Sequence, residues 1–163
     1  MNYWLFKTEP DTFSVDDLAR ARRSTTAWDG VRNYQVRNMI RDQMRVGDRG
    51  FLYHSSCEVP GIVGIVKIAR AAYPERAALD PTHRYYDPGS DAENPRWYSV
   101  DVQLEQRIEP AVTLETLRKH AQEALKDMLI LRRGNRLSIT PVTTEEWRYI
   151  LSLARAGTGK RST

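Results

Sequence analysis

A histidine and a cysteine lie three residues apart in the segment Tyr53–Cys57, at the end of a predicted strand. Such a pair can supply a general base and a nucleophile, but nothing in the sequence marks the third group that would orient the histidine. The alternative is the polar wall of a binding pocket, formed by the hydroxyls of Ser55 and Ser56 and the imidazole of His54. In that case Cys57 is a small buried apolar side chain. We favour the pocket wall and predict no catalytic residues.

A loop rich in aromatic and polar residues, Trp28–Tyr34, precedes a predicted basic helix. Trp28 could pack against a small core, or it could stack on a nucleobase, which contributes about 1–3 kcal/mol per base. Asn33 could cap the helix or hydrogen-bond the edge of a base. Lys7 ends an aromatic strand and could reach into the same pocket or into solvent. Trp97 follows an acidic segment and belongs either to the core or to the pocket rim.

Two groups of arginines are candidates for contact with phosphate, which positions a nucleic acid without reading its sequence. One group lies in the predicted turn Leu131–Ser138, and the other lies on and just before the helix predicted near Asn33. A spacing of four residues places arginines on one face of that helix. Each group could equally be a solvated surface. The predicted phosphate-contacting residues are Arg32, Arg37, Arg41, Arg132, Arg133 and Arg136.

Charge is distributed unevenly along the 163 residues, whose formal net charge is +4. Residues 20–49 contain eight arginines and three aspartates, a local charge of +5. Residues 75–109 contain eight acidic residues and four arginines, a local charge of −4. A one-sided basic surface fits an anionic partner such as nucleic acid, although an ordinary solvated surface has the same pattern.

The sequence argues against several classes of protein and site. No apolar run approaches the roughly 20 residues of a membrane helix, and one cysteine, Cys57, cannot form an internal disulfide. There is no glycine-rich phosphate loop, no CxxC pair and no zinc-like spacing of histidines, so we expect neither cofactor nor metal. The first residues do not resemble a secretory signal, so we expect a cytoplasmic protein with no membrane partner. We also expect a monomer.

The elements that must position these residues alternate irregularly between strand and helix. Strands are predicted at Asn2–Lys7, Arg49–His54, Gly61–Tyr73, Arg96–Ile108, Met128–Leu131 and Arg136–Ile139. Helices are predicted after the capping residue Ser14, from Asn33, over Leu114–Leu125 and from Thr144. Residues 75–95 are predicted to be irregular. Strands that follow one another with helices at the margins indicate an α+β fold with a small barrel. A doubly wound sheet is the alternative, weakened by the missing phosphate loop.

Seven short motifs, in this order along the chain, resemble the EVE domain. They are Tyr3–Pro10, Trp28–Gln35, Tyr53–Cys57, Pro60–Gly64, Tyr85–Pro88, Pro95–Trp97 and Arg136–Ser138. The resemblance covers nearly the whole chain and implies one EVE domain over residues 1–153. The small, polar and basic composition that follows predicts a basic flexible tail over residues 154–163. It also implies a PUA-like fold, a small bent β-barrel of five to six strands flanked by helices.

The EVE domain is similar to YTH and ASCH domains, and YTH domains hold a methylated adenine in an aromatic cage. The resemblance therefore implies a non-catalytic module that binds DNA or RNA and reads a modified base, such as a modified cytosine or methylated adenine. The implied ligand-binding residues are Lys7, Trp28, Asn33, Tyr34, His54, Ser55 and Ser56, with Trp97 at the rim. Two alternatives remain open, an enzyme acting on a nucleotide through His54 and Cys57, and a module that binds a small metabolite.

Overall fold

Six strands form one mixed sheet in this computed structural model, which describes the backbone of residues 1–162 and the side chains of residues 1–157. The strands are β1 (Tyr3–Thr8), β2 (Thr25–Ala27), β3 (Arg49–His54), β4 (Gly61–Pro74), β5 (Tyr98–Thr113) and β6 (Ile139–Val142). The helices are α1 (Val15–Arg20), α2 (Tyr34–Asp42), α3 (Arg76–Leu79), α4 (Leu114–Lys119) and α5 (Thr144–Ser162). The predicted α+β class, with six strands flanked by helices, is confirmed.

The sheet is bent by its two longest strands. Its order is β2-β5-β4-β3-β1-β6, in which β1 and β3 are parallel and the other described neighbours are antiparallel. The pairing of β4 with β5 changes register at four places, and such bulges bend a strand and increase its twist. Within the described residues β2 and β6 lie at opposite ends of this order, so the PUA-like barrel is bent but not closed.

Each face of the sheet carries its own hydrophobic core because side chains alternate along a strand. On β1, Trp4 and Phe6 belong to one core with residues of α1 and α2. Leu5, between them, belongs to the other core, with residues of α4 and α5. In that second core the Trp147 ring stacks with both Tyr3 and Phe51, with centroid distances of 4.5 Å and 4.1 Å. The sheet is thus fixed from both sides.

The two helices on the first face begin as their sequences predict. Ser14 caps α1, and its hydroxyl accepts from the N–H of Asp17, whose carboxylate accepts from the N–H of Ser14. The side chain of Asn33 caps α2 by accepting from the N–H of Val36 at 3.0 Å. The apolar residues of α2 that were predicted to share a face are all buried, namely Val36, Met39, Ile40 and the following Met44.

Several predicted boundaries differ from the structure. Met128–Leu131 was predicted as a strand, but Leu129–Leu131 form a 3-10 turn, and the last strand begins only at Ile139. The helix predicted to reach Leu125 ends at Lys119, after which turns keep Leu125 buried on the same side. The apolar pattern therefore predicted correctly that Leu125 is buried, but it did not predict the backbone conformation of this segment. Strand β2 was not predicted, because three residues are too few to show alternation.

The C-terminal helix includes the start of the segment predicted as a flexible tail. Helix α5 spans Thr144–Ser162, so residues 154–157 continue it. The side chains of residues 158–163, on which the rest of that prediction falls, lie outside the described residues. Among the described residues no helix is long and apolar enough to cross a membrane.

A buried carboxylate, that of Asp48, joins the start of β1 to the turn before β3. Its oxygens accept from the Trp4 indole N–H at 3.1 Å, the Arg45 backbone N–H at 3.0 Å and the Asn2 backbone N–H at 3.1 Å. Because Asp48→Ala leaves buried donors unpaired, we expect it to lower the free energy of unfolding by about 2–3 kcal/mol. Urea denaturation measures this change.

The matched control is Asp42→Ala. Among the described residues Asp42 pairs only with its neighbour Arg41, and its side chain is 54% exposed, so we expect no measurable loss of stability. Equal losses in the two variants would show that Asp48 does not stabilise the fold through these bonds.

Candidate functional site

A cavity of about 420 Å³ lies at the end of β1, beside the loop that joins β2 to α2. Four separate segments form its wall: the end of β1 and the residues after it, the β2–α2 loop, the segment after α3, and the approach to β6. The side chains that matter most for its chemistry are Lys7, Phe13, Trp28, Asp29, Arg84 and Tyr85. The cavity is therefore assembled by tertiary structure from residues far apart in the chain.

The aromatic part of the wall is held in place by the first core. The Trp28 ring meets Phe6 edge to face, with centroids 5.2 Å apart, and meets Phe13 at 90° with centroids 6.5 Å apart. The backbone N–H of Trp28 donates to the carbonyl of Val100 at 2.8 Å. Trp28 is partly buried, and it packs on the core and lines the cavity at the same time. Both readings of this residue from the sequence are thus compatible.

The cavity also contains a carboxylate and an ammonium group. One oxygen of Asp29, Oδ1, accepts from the hydroxyl of the buried Ser99, and Oδ2 accepts no hydrogen bond from the described residues. Lys7 is half-buried, its backbone N–H donates to the carbonyl of Ser138, and its Nζ has no partner among the described residues. The cavity therefore offers a free acceptor and a free donor beside an aromatic ring, which suits a planar polar ligand.

The β2–α2 loop is fixed by a buried glutamate. Glu75 is 1% exposed, and its carboxylate accepts from the Gly30 backbone N–H and from Nη2 of Arg32, the latter at 2.6 Å. Arg32 also donates to the carbonyl of Tyr85. The Tyr85 ring lies so close to Gly30 that a Cβ there would be 2.5 Å from it, and Gly30 has a φ of +82°. Tyr85 can therefore cover this loop only because residue 30 is a glycine.

A second aromatic pair lies next to the site. Trp97 is 6% exposed, and Tyr34 stacks on it at 5.0 Å with 23° between the rings. The indole N–H of Trp97 donates to Asp87 at 2.7 Å, and this bond is the main reason that the pKa of Asp87 lies below its usual value. The guanidinium carbon of Arg32 lies 5.0 Å from the Trp97 centroid. Trp97 and Arg32 thus support the segment that carries Tyr85.

His54 and Ser55 support the cavity wall from outside, whereas Ser56 is exposed. His54 Nε2 accepts from the backbone N–H of Val15 at 3.1 Å, and burial lowers the pKa of His54. The Ser55 N–H donates to the carbonyl of Thr8, a cavity residue, at 2.9 Å. No hydrogen bond joins His54 to Cys57 within the described part of the chain. The segment thus orients the end of β1 and the start of α1.

The structure brings two of the eight predicted ligand-binding residues into this cavity, Lys7 and Trp28. Among the described residues, the remaining six lie outside its lining: Asn33, Tyr34, His54, Ser55, Ser56 and Trp97. Four of the cavity residues named above were not identified from the sequence: Phe13, Asp29, Arg84 and Tyr85. Asp29 and Tyr85 belong to motifs quoted above, but they meet only through the buried Glu75, which no local pattern indicates.

The predicted phosphate contacts divide into two kinds. On the α2 side, the guanidinium of Arg41 binds the carboxylate of Asp42, and Arg37 donates to the side chain of Asn38 and the carbonyl of Arg96. The arginines of the turn before β6 are Arg132, Arg133 and Arg136. They are exposed and have no side-chain partner among the described residues. That turn leads along the chain to Ser138 in the cavity wall, and its charges are not engaged by side chains of the described residues.

No group of three or more potential metal ligands occurs within the described residues.

Comparison with known proteins gives a consistent result. The EVE domain model matches residues 2–153. Thymocyte nuclear protein 1 of Danio rerio is 42% identical over 92% of this chain and 71% of its own length. The structure of the human THYN1 protein in complex with 5-methylcytosine-containing DNA has a TM-score of 0.89 and 40% identity, over 94% of this chain and 98% of that one.

A more distant structure shows only that the fold is shared. The YTH domain of the Zygosaccharomyces rouxii MRB1 protein has a TM-score of 0.50 and 9% identity, over 94% of this chain and 86% of that one. The predicted likeness to YTH domains is thus confirmed for the fold. The family match extends over the whole sheet and both cores, and it includes every segment that forms the cavity. The chain belongs to the EVE domain family.

Proposed function

We propose that this protein binds DNA or RNA that carries a modified base and holds that base in the cavity beside Trp28. The observation that carries the proposal is the cavity itself, which combines a fixed aromatic ring with the free polar groups of Asp29 and Lys7. The human THYN1 structure, with the same fold, was obtained with DNA containing 5-methylcytosine. This relative supports a modified cytosine as the first base to test.

The base enters the cavity outside a duplex. A stacked base cannot reach a pocket, so it is either flipped out or already single-stranded. A cavity of about 420 Å³ lies in the range that encloses a small planar ligand. Stacking on Trp28 contributes about 1–3 kcal/mol. Because Phe6 and Phe13 already fix the ring, little side-chain freedom is lost on binding.

Polar groups in the cavity select the edge of the base. The free carboxylate oxygen of Asp29 accepts from an exocyclic amino group, such as N4 of cytosine or N6 of adenine. Lys7 donates to a ring carbonyl such as O2 of cytosine. A methyl group on the base gains contact with the apolar wall, worth about 0.8 kcal/mol if fully buried. Thymine and uracil lack the amino group and are therefore disfavoured.

Binding without catalysis fits the state of the His54 segment. A general base must reach the proton of its nucleophile, yet His54 Nε2 already accepts from the backbone of Val15. His54 and Cys57, the two residues of the enzymatic alternative, form no hydrogen bond with each other in the described structure. We therefore favour a binding module over an enzyme that acts on a nucleotide.

We expect Trp28→Ala to weaken binding of a single-stranded oligonucleotide with one central 5-methylcytosine by about tenfold, the equivalent of 1.4 kcal/mol, since the stacking surface is lost. We also expect it to lower the preference over unmodified cytosine. Trp28→Phe keeps an aromatic ring and should retain part of both. Fluorescence anisotropy measures affinity, and circular dichroism checks that each variant is folded.

Tyr34→Ala is the matched control for this test. Tyr34 is 53% exposed and stacks on Trp97 outside the cavity, so we expect less than about a threefold change in affinity. If Tyr34→Ala removes the preference for 5-methylcytosine and Trp28→Ala does not, the base occupies a different place.

Salt dependence separates the two groups of arginines. We expect Arg132→Gln with Arg136→Gln to reduce the slope of log affinity against log salt by about 1–2, because each lost phosphate contact reduces it by about 1. Arg37→Gln with Arg41→Gln removes the same charge from residues that already have protein partners, and the slope should stay as in wild type. The opposite result would place the phosphates on α2.

A further inference from the structure

A second cavity, of about 610 Å³, adjoins the first across strand β2. The two cavities share Thr26 and Ala27 in their walls. The second cavity is otherwise lined by Arg22, Arg23, Thr25, Ala69, Asp101 and Gln103. None of these six residues was assigned a role above, and a ligand that fills the first cavity leaves the second one open.

The floor of the second cavity is polar because of the register between β2 and β5. Thr25 pairs with Gln103, and Ala27 pairs with Asp101. Paired residues point to the same side of a sheet, and residues two apart share that side, so these four side chains lie on one face. Asp101 Oδ1 accepts from the hydroxyl of Tyr73, while Oδ2 accepts no hydrogen bond from the residues that the structure describes.

The turn that carries the two arginines has a strained and well-fixed backbone. Arg23 and Ser24 have φ values of 57° and 51°, a left-handed conformation that side-chain-bearing residues rarely adopt. The carbonyl of Arg23 accepts from the Thr25 hydroxyl at 2.9 Å and from the Gln103 amide at 3.0 Å. Such strain persists where surrounding contacts enforce it, and it is common where a ligand is clamped.

These contacts use the backbone of the turn and leave its charges free. Arg22 and Arg23 are exposed, and their guanidinium groups have no partner among the described residues. With Asp101 as the acidic residue of the cavity, the lining carries a net charge of about +1, concentrated at the turn. The arginines and the carboxylate thus offer an anion site and a hydrogen-bond acceptor side by side.

We propose that the second cavity binds the nucleotide next to the modified base, with its phosphate on Arg22 and Arg23. Its base lies over the β5 floor, where Asp101 accepts from an exocyclic amino group. Consecutive nucleotides of one strand occupy both cavities because Thr26 and Ala27 border each of them. This inference rests on the proposed function. It adds a contact with the neighbouring nucleotide, and this contact does not depend on whether the base in the first cavity is modified.

The test compares two single-stranded DNA pentamers that differ only in a central 5-methylcytosine or cytosine. The variant is Arg22→Gln with Arg23→Asn, since asparagine tolerates the left-handed conformation at residue 23. The control is Arg118→Gln with Arg148→Gln, which removes the same charge from exposed residues of α4 and α5. We expect the variant, but not the control, to lose about fivefold in affinity for both pentamers. The ratio of the affinities for the two pentamers should stay unchanged.

A neutral linkage locates the contact. In wild type, a methylphosphonate next to the central base, on one of its two sides, should reproduce the loss. In the variant the same linkage should cause little further loss, because the partner of that phosphate is already absent. Full additivity of the two changes, on both sides of the base, would overturn the assignment of this phosphate.

The remaining outcomes separate this inference from the proposed function. If the variant binds both pentamers as wild type does, the second cavity is not a nucleotide site, while base recognition stands. If the variant no longer binds the 5-methylcytosine pentamer more tightly than the cytosine pentamer, the two arginines act on the first cavity, and the inference is again wrong. If wild type binds neither pentamer, the proposed function fails and this inference fails with it.

Discussion

The candidate site depends on one buried carboxylate, that of Glu75. Burying a charge is unfavourable unless it is paired, and both oxygens of Glu75 are used, one by the Gly30 N–H and one by Arg32. Through Arg32 the same group reaches the carbonyl of Tyr85. The β2–α2 loop and the acidic segment after α3 are therefore held against each other, and the cavity exists because they meet.

The sheet supplies the rigidity that this arrangement needs. Its two faces bury separate cores, so β1 and β5 cannot move without disturbing both. The cavity lies at the end of β1, where Trp28 extends the first core, and its aromatic wall is therefore fixed before any ligand arrives. A preorganised wall of this kind favours selective binding because little ordering remains to be done on association.

The folded structure decides which of the basic residues are available to an anionic partner. The basic stretch at residues 20–49 predicted a basic surface, but its members differ in the structure. Arg32 is bound to Glu75 and Arg41 to Asp42, whereas the guanidinium groups of Arg22 and Arg23 lie beside a cavity with no partner in the part of the chain that the structure describes. Arg41 pairs with its sequence neighbour, whereas Glu75, the partner of Arg32, is brought by a distant segment. The local sequence therefore does not show by itself which arginines can meet a phosphate.

The sequence by itself determined the family, the α+β class, the caps at Ser14 and Asn33, and the buried face of α2. Each of these depends on local hydrogen bonding, on periodicity or on the order of motifs. It also identified Lys7 and Trp28. Only the tertiary structure decided that Asp29 and Tyr85 join them, and that the His54 segment and Trp97 act as supports. The reason is physical: the cavity wall is made by contacts across four segments, and the contact that fixes them, at Glu75, joins residues more than forty positions apart.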